Sequence, residues 1–87
     1  MASIKNLKKD INHVLGDIIG ACYQWKQENV KEDFSKAQEI IDEAIDTFDT
    51  LIEKLHIKAA NKKAHYKGIQ KELEDRAVEL LEKVNNL

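Results

Sequence analysis

The 87-residue chain contains no proline, one cysteine and three glycines, and it has no long apolar run. Without proline, the strongest helix breaker is missing. The single cysteine, Cys22, excludes an intramolecular disulfide, so we expect a reducing, cytoplasmic location. The longest uncharged stretch is residues 18–25, far shorter than the roughly 20 residues that span a membrane. The first ten residues lack the apolar segment of a signal peptide, and we expect no membrane partner.

Sequence motifs of enzymes and cofactor sites are also missing. There is no glycine-rich phosphate loop, no nucleophile elbow and no cysteine–histidine cluster with zinc spacing. Glu53 and His56, like Asp10 and His13, have the spacing used in di-iron bundles, but such a site needs inward-facing ligands and a second carboxylate pair. Cys22 lies on an apolar stripe, where a thiol acts as a small core hydrophobe. We therefore expect neither enzymatic activity nor a metal or other cofactor.

Apolar residues recur at intervals of three and four in three blocks, which predicts three amphipathic helices. The helices are expected at about residues 4–28, 35–57 and 61–86, within one domain that covers residues 1–87. No alternation of period two occurs, so no sheet is predicted. Because the links are short, neighbouring helices should be antiparallel. The predicted fold is all-α, an elongated up-down-up antiparallel three-helix bundle.

Helix starts and core positions can be assigned from the same pattern. Ser3 and Asn61 are the predicted N-caps of the first and third helices, and Ser35 with Gln38 predicts a capping box at the second. The predicted core consists of the apolar residues on the three stripes: Ile4, Leu7, Ile11, Val14, Leu15, Ile18, Cys22 and Trp25; Phe34, Ala37, Ile41, Ala44, Ile45, Phe48, Leu51, Ile52 and Leu55; Tyr66, Ile69, Leu73, Ala77, Leu80, Leu81, Val84 and Leu87.

Two of the three glycines, Gly16 and Gly20, are one turn apart in the first helix. They lie about 140° and 180° around the helix from Ile11, opposite the core stripe. Each glycine costs the helix roughly 0.8–1 kcal/mol relative to alanine, and the close approach of a second helix would offset this cost. Alternatively, the two glycines are tolerated at the surface, or they permit a bend in this long helix. We predict a homodimer interface, most simply across a twofold axis, formed by Asn12, Gly16, Ile19, Gly20 and Tyr23.

The net charge is only −2, but the basic residues are unevenly distributed. No acidic residue occurs from Lys54 to Lys71, a segment with six lysines and two histidines. In an up-down-up bundle this segment joins the N-terminal lysines at one end, where a basic patch attracts phosphate-bearing partners. The patch contains no arginine, and a solvated end and head-to-tail self-association are the alternatives. The candidate anion-binding residues are Lys54, Lys58, Lys62, Lys63, Lys67 and Lys71.

With the segments SIKNLKKDINHVLGDII and IDEAIDTFDTLIEKL, the chain resembles a group of small uncharacterised helical proteins from Bacteroidetes. The resemblance extends over most of the length, implies a bacterial, cytoplasmic origin and includes no motif of known function. It implies no site residue. We predict a non-enzymatic helical interaction module that self-associates through the first helix, with an unidentified second protein as a further partner. The alternative is binding of an anion or a nucleic acid by the lysine-rich end, which should weaken steeply with salt.

Overall fold

The computed structural model describes residues 4–87, which form three α-helices joined by two short links. α1 spans Ile4–Glu28, α2 spans Ser35–Leu55 and α3 spans Lys62–Asn85. Each helix packs against the other two, and no residue within 4–87 lies in a strand. The bundle measures 51 × 17 × 16 Å. The predicted architecture, an elongated all-α three-helix bundle, is confirmed.

Polar contacts between α2 and α3 show how these helices run relative to each other. Lys83 near the end of α3 contacts Glu43 in the first half of α2, with 2.6 Å between Nζ and Oε2. Lys54 at the end of α2 contacts Glu72 at the same distance. The hydrogen bond from Lys83 to the Glu43 carboxylate raises the pKa of the lysine. From Glu43 to Lys54 along α2, the contact partner moves backward along α3 from Lys83 to Glu72, so the two helices are antiparallel.

The N-cap of α3 agrees with the sequence pattern. The side-chain oxygen of Asn61 accepts a hydrogen bond from the backbone N–H of Ala64 at 3.1 Å. This contact satisfies one of the amide groups that a helix start leaves without an internal partner. Ser3, the predicted cap of α1, lies outside the described residues.

The predicted capping box at the start of α2 is wrong. Phe34 is the N-cap residue and makes no side-chain capping hydrogen bond. The carboxylate of Asp33 instead accepts hydrogen bonds from the hydroxyl and the backbone N–H of Ser35, at 2.6 and 2.9 Å. These two hydrogen bonds lower the pKa of Asp33. A carboxylate is the stronger acceptor, because its charge shortens and strengthens the hydrogen bond.

The core contains side chains from all three helices and follows the length of the bundle. Cys22 is fully buried within it, as predicted, and burial raises the pKa of its thiol. The buried apolar residues of the core cluster are Leu7, Ile11, Leu15, Ile18, Cys22, Ile40, Ile41, Ala44, Leu51, Leu55, Ile69, Leu73, Ala77 and Leu80.

The predicted core is wrong at Ile4, Ile45 and Leu81, which are exposed, and it omits Ile40, which is buried. Each helix of a three-helix bundle faces two neighbours, so its buried arc is centred between them. On α2 this arc includes Ile40 and Ala44, whereas Ile45 lies about 100° further around the helix, at the rim. Ile4 is the first residue of α1 and lies at the end of the bundle, where no other helix of residues 4–87 covers it.

Candidate interaction surfaces

The five residues of the predicted interface lie on one side of α1, and we refer to them as the glycine surface: Asn12, Gly16, Ile19, Gly20 and Tyr23. Gly16 and Gly20 are exposed, and Ile19 is half-buried against the core. A Cβ atom built on either glycine would meet no heavy atom outside its own helix within 4 Å. Packing inside the monomer therefore does not require glycine at either position.

An apolar groove of about 190 Å³ borders the glycine surface between α1 and α2. Its α2 wall contains Ile45, whose side chain remains 47% exposed. Since Gly16 lies at the opposite wall, its missing side chain leaves the groove open toward solvent. The sequence analysis missed the α2 wall because it placed Ile45 in the core. Ile45 follows Ala44 and therefore lies about 100° away from it around the helix, which could have indicated a position at the rim. The groove is lined by Asn12, Leu15, Gly16, Ile19, Ile45 and Phe48.

Tyr23 forms the far edge of the glycine surface and is 53% exposed. The Nζ atom of Lys26 lies 5.6 Å from the Tyr23 ring centroid and 5.6 Å from that of Phe34. The same atom donates a hydrogen bond to the Gln38 side chain at 2.8 Å. Phe34 in turn packs edge-on against Trp25, with 6.3 Å between the ring centroids. Lys26 thus links the exposed Tyr23 ring to Phe34 and Gln38 at the start of α2, and these contacts restrict where the ring can lie.

The six candidate lysines of the basic end do not form one site. Lys54 is paired with the Glu72 carboxylate, which sequence reasoning overlooked because the glutamate follows the acid-free segment. Lys58 and Lys62 line a common hollow. Lys67 and Lys71 line a separate shallow depression along α3 with Glu74, and Lys63 is exposed. The structure therefore separates four of the six lysines into two pairs, and only the depression beside Lys67 and Lys71 also contains a carboxylate, that of Glu74.

The hollow shared by Lys58 and Lys62 has a volume of about 380 Å³, and we refer to it as the basic hollow. It forms where the start of α1, the end of α2 and the start of α3 meet. Its apolar wall includes Ile4 and Ile57, which are 41% and 56% exposed. Among residues 4–87, the hollow is lined by Ile4, Leu55, His56, Ile57, Lys58, Ala59, Lys62, His65 and Tyr66.

His65 gives the basic hollow a defined wall. Its Nε2 atom lies 2.7 Å from the backbone carbonyl oxygen of Lys54. Because a carbonyl oxygen only accepts, Nε2 carries the hydrogen and donates it. The His65 ring also lies 5.8 Å from the Tyr66 ring, measured between centroids. A main-chain hydrogen bond and an aromatic contact thus hold the imidazole in one orientation.

The histidine and carboxylate pairs considered as metal ligands are not brought together. His13 contacts Asp17, with 3.6 Å between the nitrogen and the oxygen, at an exposed position. Within residues 4–87, no three histidine, cysteine, aspartate or glutamate side chains are grouped so that they could hold a metal ion. None of the helices in this part of the chain has the length and apolar character required to cross a membrane.

Comparison with known proteins adds no family or activity, since no family model, curated protein or solved structure matches the chain. The glycine surface with its groove and the basic hollow are therefore the two candidate sites of interaction.

Proposed function

We propose that the protein is a non-enzymatic helical interaction module that forms a homodimer through the glycine surface. The observation that carries this proposal is the open space around Gly16 and Gly20 beside an apolar groove. Glycine in a helix interior weakens the helix, and no packing contact among residues 4–87 occupies the space beside either glycine. A second helix that approaches closely at these positions would compensate for that weakening.

The order of large and small residues on the glycine surface makes it complementary to itself. Consider two copies of α1 packed antiparallel, with the twofold axis passing between Ile19 and Gly20. Tyr23 then lies opposite the partner's Gly16, and Ile19 lies opposite the partner's Gly20. Each glycine therefore receives one large side chain from the other copy. A twofold interface requires this kind of self-complementarity, because the same patch serves both subunits.

The shape of the bundle allows an interface of ordinary size. A whole face of 51 × 17 Å has a projected area of about 870 Å², slightly more than the roughly 800 Å² that each partner buries in a standard interface. The exposed Ile45 and Tyr23 side chains would be covered in such a pairing. Covering apolar surface contributes roughly 25 cal/mol per Å² before the costs of association. We expect a dimer with a Kd of about 1–100 µM.

Cys22 also supports a non-enzymatic function in a reducing location. Its thiol is fully buried and its pKa is raised by that burial, whereas a nucleophilic cysteine needs an exposed, electropositive setting. A lone thiol that acts as a core hydrophobe remains intact where disulfides are kept reduced. We therefore include a cytoplasmic location in the proposal.

The proposal can be tested with leucine at each glycine. Gly16→Leu and Gly20→Leu place a bulky side chain where the partner must approach, so both variants should remain monomeric in light scattering up to ~500 µM. Gly68→Leu is the matched control, because Gly68 is also an exposed helical glycine with open space around its Cβ position. It should form the wild-type dimer. A monomeric wild type at the same concentration, or equal dissociation by Gly68→Leu, would contradict the proposal.

A reciprocal exchange tests the antiparallel arrangement itself. Gly16→Tyr alone should prevent association, because two large side chains then meet across the interface. Adding Tyr23→Gly should restore the dimer, since each large residue again faces a small one. Tyr23→Ala alone should weaken association less than Gly16→Leu does, because it removes contact area without creating a clash. If the doubly exchanged variant stays monomeric while the wild type dimerises, the register is wrong.

A further inference from the structure

The basic hollow combines cationic and apolar walls, and we propose that it binds a small amphipathic anion. The ligand class is an organic carboxylate or phosphate that carries a short acyl or aryl group. This site is separate from the glycine surface: Ile4 precedes Asn12, the first residue of that surface, by eight residues, which corresponds to about 12 Å along α1. The inference does not depend on dimer formation.

The basic residues of the hollow lie in the link between α2 and α3 and in the first turn of α3. Lys58 lies in that link and Lys62 is the first residue of α3, and both line the hollow together with His56 and His65. No aspartate or glutamate from residues 4–87 lines it. Lys54 is neutralised by its ion pair with Glu72, but it does not line the hollow. An anionic group between Lys58 and Lys62 would therefore meet positive charge without a competing carboxylate.

The apolar wall distinguishes this ligand class from inorganic phosphate and from nucleic acid. Leu55 and Tyr66 form its inner part, while Ile4 and Ile57 leave apolar surface exposed at its rim. An acyl or aryl group would remove this surface from water, which a bare phosphate cannot do. The volume of about 380 Å³ lies within the range of small-molecule sites, roughly 300–1,000 Å³.

Hydrogen bonds fix the His65 ring and the backbone of His56 in the wall of the hollow. His65 is oriented by its hydrogen bond to the Lys54 carbonyl, and the Tyr66 ring packs beside it. The backbone N–H of His56 donates to carbonyls of the last turn of α2, so the chain that carries this histidine is also held. A wall that is ordered before binding spares the ligand part of the entropic cost of forming the site.

The test is an NMR titration of the ¹⁵N-labelled full chain with hexanoate, with its neutral analogue hexanamide and with inorganic phosphate, at matched ionic strength. Hexanoate should shift the amide signals of Ile57, Lys62 and Tyr66 and saturate with a Kd near 1 mM or below. Hexanamide should bind at least about fivefold more weakly, because it lacks the charge. Inorganic phosphate should not saturate, because it lacks the apolar group.

Paired substitutions separate the hollow from the general charge of this end. Lys58→Gln with Lys62→Gln should weaken hexanoate binding about tenfold, and Ile57→Ser should weaken it with the lysines intact. The matched control is Lys67→Gln with Lys71→Gln, which removes the same charge from α3 outside the hollow. Circular dichroism should show unchanged helicity in every variant, and the dimer-blocking variant Gly20→Leu should bind hexanoate as the wild type does.

Three results would overturn the proposal. The first is an absence of saturable shifts up to ~20 mM hexanoate. The second is equal affinity for hexanoate and hexanamide, which would leave an apolar hollow without anion recognition. The third is equal weakening by the two lysine pairs, which would indicate diffuse attraction of any anion, including nucleic acid, to the whole basic end.

Discussion

Alanine at the glycines of α1 should stabilise the monomer, although glycine there is expected to serve the dimer. The perturbation is the single methyl group added by Gly16→Ala or by Gly20→Ala. A Cβ atom at either position meets no heavy atom outside its own helix within 4 Å, so the methyl group neither clashes nor gains packing. The expected gain comes from the helix backbone: alanine loses less backbone entropy on folding than glycine does, and it shields the backbone better from water.

The expected magnitude follows from that open environment. Each substitution should raise the free energy of unfolding of the monomer by roughly 0.8–1 kcal/mol. For a domain of this size, that corresponds to an increase in Tm of about 4–8 °C. Gly68→Ala in α3 should give the same increase, because the space around Gly68 is equally open. The combination of Gly20→Ala with Gly68→Ala should be additive, since the two sites lie on different helices and share no contact.

The assay is urea unfolding followed by circular dichroism, at a protein concentration below the dimer dissociation constant. A low concentration is essential, because dimer formation would itself stabilise the wild type. Above that constant, Gly20→Ala should lose part of its advantage, whereas Gly68→Ala should keep it. A lower monomer stability in Gly16→Ala and Gly20→Ala, together with a higher one in Gly68→Ala, would contradict this expectation. The backbone of α1 would then need glycine for its own conformation.

Two further predictions concern the core and the start of α2. Ile18→Asp should unfold the domain, because it buries an unpaired charge at a cost of several kcal/mol. The control, Val78→Asp at an exposed position of α3, should keep the wild-type helicity and Tm. A folded Ile18→Asp variant would show that the core is assigned incorrectly. The pKa of Asp33 is lowered on folding, so its carboxylate stabilises the protein above its ordinary, unfolded pKa, and this contribution is lost as the pH falls through the lower folded value. Asp33→Asn should therefore lose less stability than the wild type in thermal unfolding between about pH 5 and pH 2, and equal losses would mean that Ser35 does not stabilise the charged form.

Features that depend on one helix alone were predictable from the sequence. The spacing of apolar residues every three and four positions is a property of the helix itself, and it predicted the three helices and the burial of Cys22. The same spacing placed Gly16 and Gly20 opposite the core, where both are exposed. The cap at Asn61 was also predictable, because it forms between residues three apart in the chain. At the start of α2 the same kind of local pattern failed, because Asp33 and not Gln38 is the partner of Ser35.

Features that depend on where the neighbouring helices lie were decided by the tertiary structure. Periodicity gives the angle of a residue around its own helix axis, but the position of the partner helices determines which flank of the stripe they cover. Ile40 is therefore buried while Ile45 is left to line the groove beside Gly16. Pairing across helices also has no signal in local sequence, so the neutralisation of Lys54 by Glu72 was missed.

The basic hollow shows this division most clearly. The sequence alone determined that lysines gather at one end, because charge along the chain and the up-down-up order place them there. Only the packing of three helix ends decided that Lys58 and Lys62 share a concave site with Ile4 and Ile57, while Lys67 and Lys71 do not. The reason is physical: a charge pattern is one-dimensional, whereas a cavity forms from the gaps that three helix ends leave where they meet.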